Sequence, residues 1–179
     1  MGRPATAKKD RLIDAAMLRF HHDGVADSSL ATVARDADVP PGNVYYYFQT
    51  KAQLTDAVVA RWCDRVADAL AVHEAHPAPL DRLSSFVASA GDRRQTYTDH
   101  GCPLAAIAAH SDRPLAMIRD WLAVQFTDHD PAAARSHADF AMASLQGSFA
   151  LAHAQRDPDI ISHNVTHLTD WIDRLSAPI

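Results

Sequence analysis

The sequence predicts an all-α protein in which three short N-terminal helices precede a longer helical remainder. Apolar residues recur at helical spacing along the 179-residue chain, and the alternating runs that mark half-buried strands are missing. Glycine and proline separate the helical stretches from one another. Apolar residues make up 47% of the chain and charged residues 22%, which is ordinary for a soluble globular protein. No run approaches the roughly 18 unbroken apolar residues of a membrane span.

The first helix is predicted over about 8–22, with an apolar face that includes Leu12, Ala16 and Phe20 and a C-terminal stop at Gly24. Ser28 or Ser29 caps a short second helix that runs to about residue 36. The third helix, about 41–47, begins at the Pro40-Pro41 pair. The basic N-terminus is not followed by an apolar signal core, so no secretory signal is expected and the cytoplasm is the default location.

The remainder is predicted to contain about six helices, which are punctuated in the same way. A long helix starts near Lys51, and the HPAP stretch at 76–79 ends it. The six predicted helices span about 51–75, 80–98, 103–110, 113–128, 132–155 and 159–175. We therefore expect two domains, an N-terminal one over residues 1–50 and a C-terminal one over residues 51–179.

The charge of the chain is unevenly distributed. Residues 1–51 carry a net charge of +1, although the whole chain has a net charge of −5. A phosphate backbone attracts local positive charge, so only the N-terminal region is suited to face DNA. The two cysteines, Cys63 and Cys102, form no CxxC pair, and neither a disulfide framework nor a cysteine zinc site is indicated.

Residues 28–51 are typical of a helix-turn-helix, in which two helices cross steeply and the second enters the major groove. Ala34 provides the small contact at the crossing, and Val33, Val39 and Val44 are expected to be buried. Asp38 lies in the turn, where a positive φ is needed and where glycine is easier to accommodate.

The third helix, PPGNVYYYF, carries the predicted contacts to DNA. Three consecutive tyrosines cannot share one helical face, so one or two must point outward, where a phenol suits a phosphate or a base edge. Asn43 is suited to adenine, and Arg3, Lys8 and Lys9 to a flexible arm along the DNA. The alternative is that a tyrosine-rich helix belongs to a core or an interface. The predicted DNA-binding residues are Ser29, Thr32, Pro41, Gly42, Asn43, Tyr45, Tyr46, Tyr47 and Lys51.

Residues 10–54 resemble the N-terminal domain of the TetR family of transcriptional regulators. The similarity lies in an Ala-Ala…Phe…Gly helix, a capped second helix, and a third helix ending in Tyr-Tyr-x-Phe-x-x-Lys. Asp38, Ala31, Pro41 and Tyr47 depart from the usual pattern. The resemblance implies a TetR-like all-α fold and a homodimer that reads a palindromic operator, usually as a repressor released by a small molecule.

The remainder is predicted to hold the dimer interface and the effector site. Ile161, Val165, Leu168, Ile172 and Leu175 form a heptad-like stripe on the last helix, and we expect a homodimer through the last two helices. The alternative is that this stripe packs within one subunit. The candidate ligand-binding residues are Trp62, Phe86, Tyr97, Cys102, Met117, Trp121 and Phe126.

Other classes of protein are not favoured by the sequence. No GxSxG elbow, phosphate loop or HExxH motif is present, so an enzyme is not expected. Two histidine pairs have helical spacing, His73 with His76 and His163 with His167, but they lack acidic or cysteine partners at ligand spacing, so neither a metal site nor a cofactor is expected. A redox-responsive regulator that senses through Cys102, or a transcriptional activator, stays open as an alternative.

Overall fold

The computed structural model describes residues 3–176 and confirms the all-α fold, with ten helices and no strand in that part of the chain. The helices are α1 (Arg3–Asp23), α2 (Leu30–Asp36), α3 (Pro41–Tyr47), α4 (Lys51–His73), α5 (Pro79–Asp92), α6 (Arg94–His100), α7 (Pro103–Ile107), α8 (Arg113–Thr127), α9 (Ala134–Gln155) and α10 (Asp159–Ser176).

The chain forms two compact units. The first runs through Arg65 and includes Pro103–Pro114, and the second contains Val66–Cys102 and continues from Leu115. The predicted domain boundary after residue 50 stays a prediction, because compactness does not show which residues bind DNA.

In the first unit, α1 packs against α2, and α2 against α3. The apolar face predicted for α1 is buried, since Leu12, Ala16 and Phe20 are at most 2% exposed. The flexible arm predicted around Lys8 and Lys9 is wrong, because both residues lie within α1. Alanine and lysine favour a helix, and Pro4 fits its first turn.

The helix predicted over 80–98 is two helices, α5 and α6, with the break at Arg93 (φ −99°, ψ 11°). Gly91 weakens the last turn of α5, because glycine has a low helix propensity. The side chains of Arg93 and Arg94 donate to the carbonyl oxygens of Ser89 and Gly91, at 3.1 and 3.2 Å. They thereby satisfy carbonyls at the end of α5 that a continuous helix would bond itself.

The core of the second unit explains the apolar stripe of α10. This helix packs against α5 and α9 of the same chain, and Ile161, Leu168 and Ile172 are at most 2% exposed. The stripe therefore packs within one subunit, which is the alternative given above. The prediction that it forms a dimer seam is wrong. The apolar spacing predicts the buried face of α10, but it does not identify the partner helix.

Candidate nucleic-acid interface

The start of α2 is fixed by a reciprocal capping box. The backbone N–H of Thr32 donates to Ser29 Oγ at 3.1 Å, and the N–H of Ser29 donates to Thr32 Oγ1 at 3.0 Å. These bonds satisfy amides that have no partner within the helix. Of the two predicted candidates, Ser28 and Ser29, the cap is Ser29. The hydroxyls of Ser29 and Thr32, which are both predicted DNA contacts, thus also stabilise the start of α2.

The turn after α2 is a Schellman motif that ends in an aspartate. The N–H of Val39 donates to the carbonyl of Ala34 at 2.8 Å, and that of Asp38 to the carbonyl of Arg35 at 3.1 Å. Asp38 has a φ of +51°, as predicted for this position. Val33, Ala34 and Val39 are buried as predicted, so this turn fixes the angle between α2 and α3.

Replacing Asp38 by glycine is expected to stabilise the first unit by about 0.5–1 kcal/mol, since glycine adopts the left-handed conformation without a Cβ penalty. The 3.7 Å ion pair with Arg11 is exposed and its loss has little effect. Thermal unfolding of Asp38→Gly measures the gain. Asp27→Gly is the control, because Asp27 is also exposed but has no positive φ. A control that is stabilised as much as Asp38→Gly contradicts the assignment.

Helix α3 has one buried face and one free face. Val44 is fully buried, and Phe48, which follows the helix, is 3% exposed. Tyr45 and Tyr46 are 56% and 81% exposed, which confirms that at least one tyrosine points outward. Pro41, Gly42 and Asn43 are exposed as well, and Tyr47 is half-buried. The Tyr47 ring meets that of Tyr46 edge-on at 5.0 Å. The free face therefore combines phenols with one side-chain amide.

Lys51 is held by backbone carbonyls. Its Nζ donates to the carbonyl oxygens of Val25, Ala26 and Ser28, at 3.0, 3.0 and 3.1 Å. These carbonyls belong to the segment between α1 and α2, so the ammonium ties the first turn of α4 to that segment. The predicted contact of Lys51 with DNA would come from a side chain that already donates three hydrogen bonds, and it stays a prediction.

Replacing Lys51 by methionine is expected to destabilise the first unit by about 2 kcal/mol, because three carbonyls lose a charged donor. The measurement is chemical denaturation followed by circular dichroism. Lys8→Met is the matched control, since Lys8 makes no ion pair among the described residues, and its effect should stay within about 0.5 kcal/mol. Equal effects of the two substitutions would mean that the three hydrogen bonds contribute nothing.

Most arginines of the first unit are paired with aspartates. Arg19 binds Asp23 and Asp36, and its hydrogen bond lowers the pKa of the Asp36 carboxyl. Arg61 likewise binds Asp10 and Asp14, at 2.6 and 3.1 Å. Among the described side chains of α1–α3, the cations without an ion pair are Lys8, Lys9 and Arg35.

The predicted ligand residues do not form one site. The ring centroids of Phe86 and Trp121 lie 5.7 Å apart, and both rings contact the buried ring of His73. Met117 and Trp121 line one surface hollow. The other four residues are dispersed. The ring of Trp62 lies under Arg65, and the ring of Tyr97 stacks on that of Phe149 with the centroids 4.0 Å apart. Cys102 is a half-buried free thiol, and Phe126 is fully buried in the core of the second unit. Their roles in ligand binding stay predictions.

Sequence reasoning missed two features. The first is the carbonyl-binding role of Lys51, whose partners are 23–26 residues away in the chain. The second is the free apolar face of α9, where Phe140 and Leu151 are each 53% exposed. The many small residues of α9 are suited to helix contact, but periodicity alone does not show which face of this helix stays uncovered.

Two crossed helices, of which the second has an uncovered face, are the defining feature of helix-turn-helix regulators. The pattern of the family described as "Bacterial regulatory proteins, tetR family" matches residues 12–58. Over 56 residues, 31% of this chain, the sequence is 41% identical to the HTH-type transcriptional regulator SrpR of Pseudomonas putida and to the uncharacterized HTH-type transcriptional regulator TtgW of the same species. The chain covers 26% and 42% of these two relatives.

The similarity of fold extends over nearly the whole chain. A TetR transcriptional regulator from Chloroflexus aurantiacus J-10-FL superimposes with a TM-score of 0.80 and 19% identity, covering 96% of each chain. The similarity to the tetR family of bacterial regulatory proteins is thus one of sequence over residues 12–58 and one of fold over nearly the whole chain. That family consists of DNA-binding transcription factors rather than enzymes. No helix within residues 3–176 is long and apolar enough to cross a membrane.

Proposed function

We propose that this protein is a dimeric transcriptional repressor that binds a palindromic operator in the cytoplasm and leaves it when a small molecule binds. The observation that carries the proposal is the free face of α3. Asn43, Tyr45 and Tyr46 project from a helix whose opposite side is anchored by Val44. A recognition helix needs such an uncovered face of hydrogen-bonding side chains to reach base edges and phosphates.

The fixed geometry of α2 and α3 supports this role. The capping box at Ser29 sets the start of α2, and the Schellman turn at Asp38 sets the angle to α3. The Arg19–Asp36 pair ties α1 to α2. Since a base contact depends on side chains held in place, these bonds prepare α3 to bind without rearrangement.

The few free cations predict a shallow salt dependence. If Lys8, Lys9 and Arg35 of both subunits contact phosphate, a plot of the logarithm of the DNA-binding constant against the logarithm of the salt concentration has a slope of about −5. Replacing Arg35 by glutamine is expected to reduce that slope by about 2 per dimer. Titrations at several salt concentrations measure it. Arg61→Gln is the control, because Arg61 is bound to Asp10 and Asp14, and its slope should not change. A wild-type slope of about −10 contradicts the proposal that only a few cations contact the phosphates.

The dimer contact is proposed on the free face of α9. This face bears only small or apolar residues, namely Phe140, Ala143, Gly147, Ala150, Leu151 and Ala154. No atom of another described segment lies within 4 Å of the position that a Cβ on Gly147 would take, so another helix has room to approach there. Palindromic DNA requires two DNA-binding domains related by a two-fold axis, and a self-complementary contact face provides that symmetry.

Gel-shift titration on the DNA that flanks the protein's own gene tests this function. The expected result is a retarded complex that competitor DNA of unrelated sequence does not displace. A transcription assay on the same fragment then distinguishes repression from activation. Failure to shift any flanking fragment, with and without added metabolites, contradicts the proposal.

A further inference from the structure

A hollow of about 480 Å³ on the second unit has a distinctive lining. Its apolar part comes from Leu70 and nearby alanines of α4 and from Met117 and Trp121 of α8. Its polar part comes from two carboxylates, Glu74, which directly follows α4, and Asp120 on α8. An indole and a flexible thioether beside carboxylates combine a large apolar surface with negative charge.

The side chains of this hollow accept hydrogen bonds and offer no free donor. The one side-chain donor of the lining, Trp121 Nε1, already donates to Glu74 Oε1 at 2.6 Å. The cations that pair with Glu74 and Asp120 are Arg82 and Arg135, and neither lines the hollow. A carboxylate accepts at about four positions, so both groups keep acceptor capacity towards the hollow.

Trp121 is fixed in place before any ligand arrives. Its ring centroid lies 5.7 Å from that of Phe86 and 6.0 Å from that of His73, and its indole N–H is anchored on Glu74. Glu74 in turn binds Arg82 at 3.0 Å. An aromatic face held in this way binds without a further ordering cost.

We infer that this hollow binds an amphipathic amine, with its apolar body on Trp121 and Met117 and its ammonium group towards Glu74 and Asp120. The inference rests on the proposed ligand response and names the chemical class of the effector. An ammonium group supplies the donors and the positive charge that the lining lacks, and it gains attraction from the indole face. A carboxylate of the same shape meets two acceptor groups and no free side-chain donor in the lining, and a neutral alcohol gains one hydrogen bond without the charge.

Three probes with one phenylbutyl skeleton test the inference by calorimetry on the full chain without DNA. They are 4-phenylbutylamine, 4-phenylbutanol and 4-phenylbutanoate. The amine is expected to bind about tenfold or more tightly than the alcohol, and the carboxylate most weakly. The double variant Glu74→Gln and Asp120→Asn should remove the preference for the amine, because each amide keeps the side-chain size but not the charge.

Asp139→Asn is the matched control. Asp139 is an exposed carboxylate 3.7 Å from Arg119, and it does not line the hollow, so this variant should retain the preference. Thermal melts establish that all variants are folded. The inference is overturned if the three probes bind alike, if none binds at millimolar concentration, or if the double variant still prefers the amine.

The effect of the amine on the DNA complex is measured separately by gel shift. Binding to the hollow with no change in DNA affinity leaves the ligand class standing and contradicts the proposed release. Absence of any DNA complex contradicts the proposed function, and calorimetry still decides the question of the amine.

Discussion

A variant in which Asn43 and Tyr46 are both alanine is expected to lose about 100-fold or more in operator affinity while it stays folded. Each base or phosphate contact contributes about 1–3 kcal/mol, and the change occurs in both subunits of a dimer. Both side chains are exposed, and neither is among the buried residues of the first unit. Fluorescence anisotropy with labelled operator DNA measures the loss, and thermal melting measures the fold.

Two further variants make this result specific. Tyr46→Phe keeps the ring and removes the hydroxyl, so it separates hydrogen bonding from stacking. Leu18→Ala is the control, because Leu18 is 64% exposed on α1, outside the helix-turn-helix. If the double alanine variant binds the operator as tightly as Leu18→Ala does, the free face of α3 does not contact DNA.

A Leu151→Glu variant is expected to be monomeric at concentrations at which the unaltered protein is a dimer. Leu151 is 53% exposed at the free apolar face of α9, so the substitution leaves the core of the subunit intact. In a symmetric dimer the change places two unpaired carboxylates in the contact, at a cost of about 3 kcal/mol or more. Analytical ultracentrifugation gives the dissociation constant.

Val72→Glu is the matched control for that experiment. Val72 is 68% exposed on α4 and is not part of α9, and the same new charge there should leave the dimer unchanged. Loss of the dimer in both variants would indicate a general effect of charge. A Leu151→Glu protein that dimerises normally places the contact elsewhere.

The helix-turn-helix was predictable because its signals are local. A serine before α2, a Pro-Pro pair before α3 and an aspartate in the turn act through bonds within a few residues, and all three have the predicted structure. The same holds for the buried valines, whose spacing reflects one helical face.

Features that depend on distant partners were not predictable in this way. The stripe of α10 is buried against α5 and α9, and its spacing would be the same for a partner in another subunit. Lys51 binds carbonyls whose availability depends on how the segment after α1 folds. The break at Arg93 is a different case, because Gly91 and the side chains that reach back to α5 are local, but a glycine two residues before the break did not by itself predict the end of a helix.

The most direct test of the central claim, that α3 of two subunits reads operator DNA, is hydroxyl-radical footprinting on the gene's flanking DNA. The expected result is two protected half-sites centred about one helical turn, roughly 10–10.5 base pairs, or a multiple of it apart. Protection should disappear in the Asn43→Ala, Tyr46→Ala variant at the same protein concentration. A single unpaired footprint, or unchanged protection in that variant, contradicts the account.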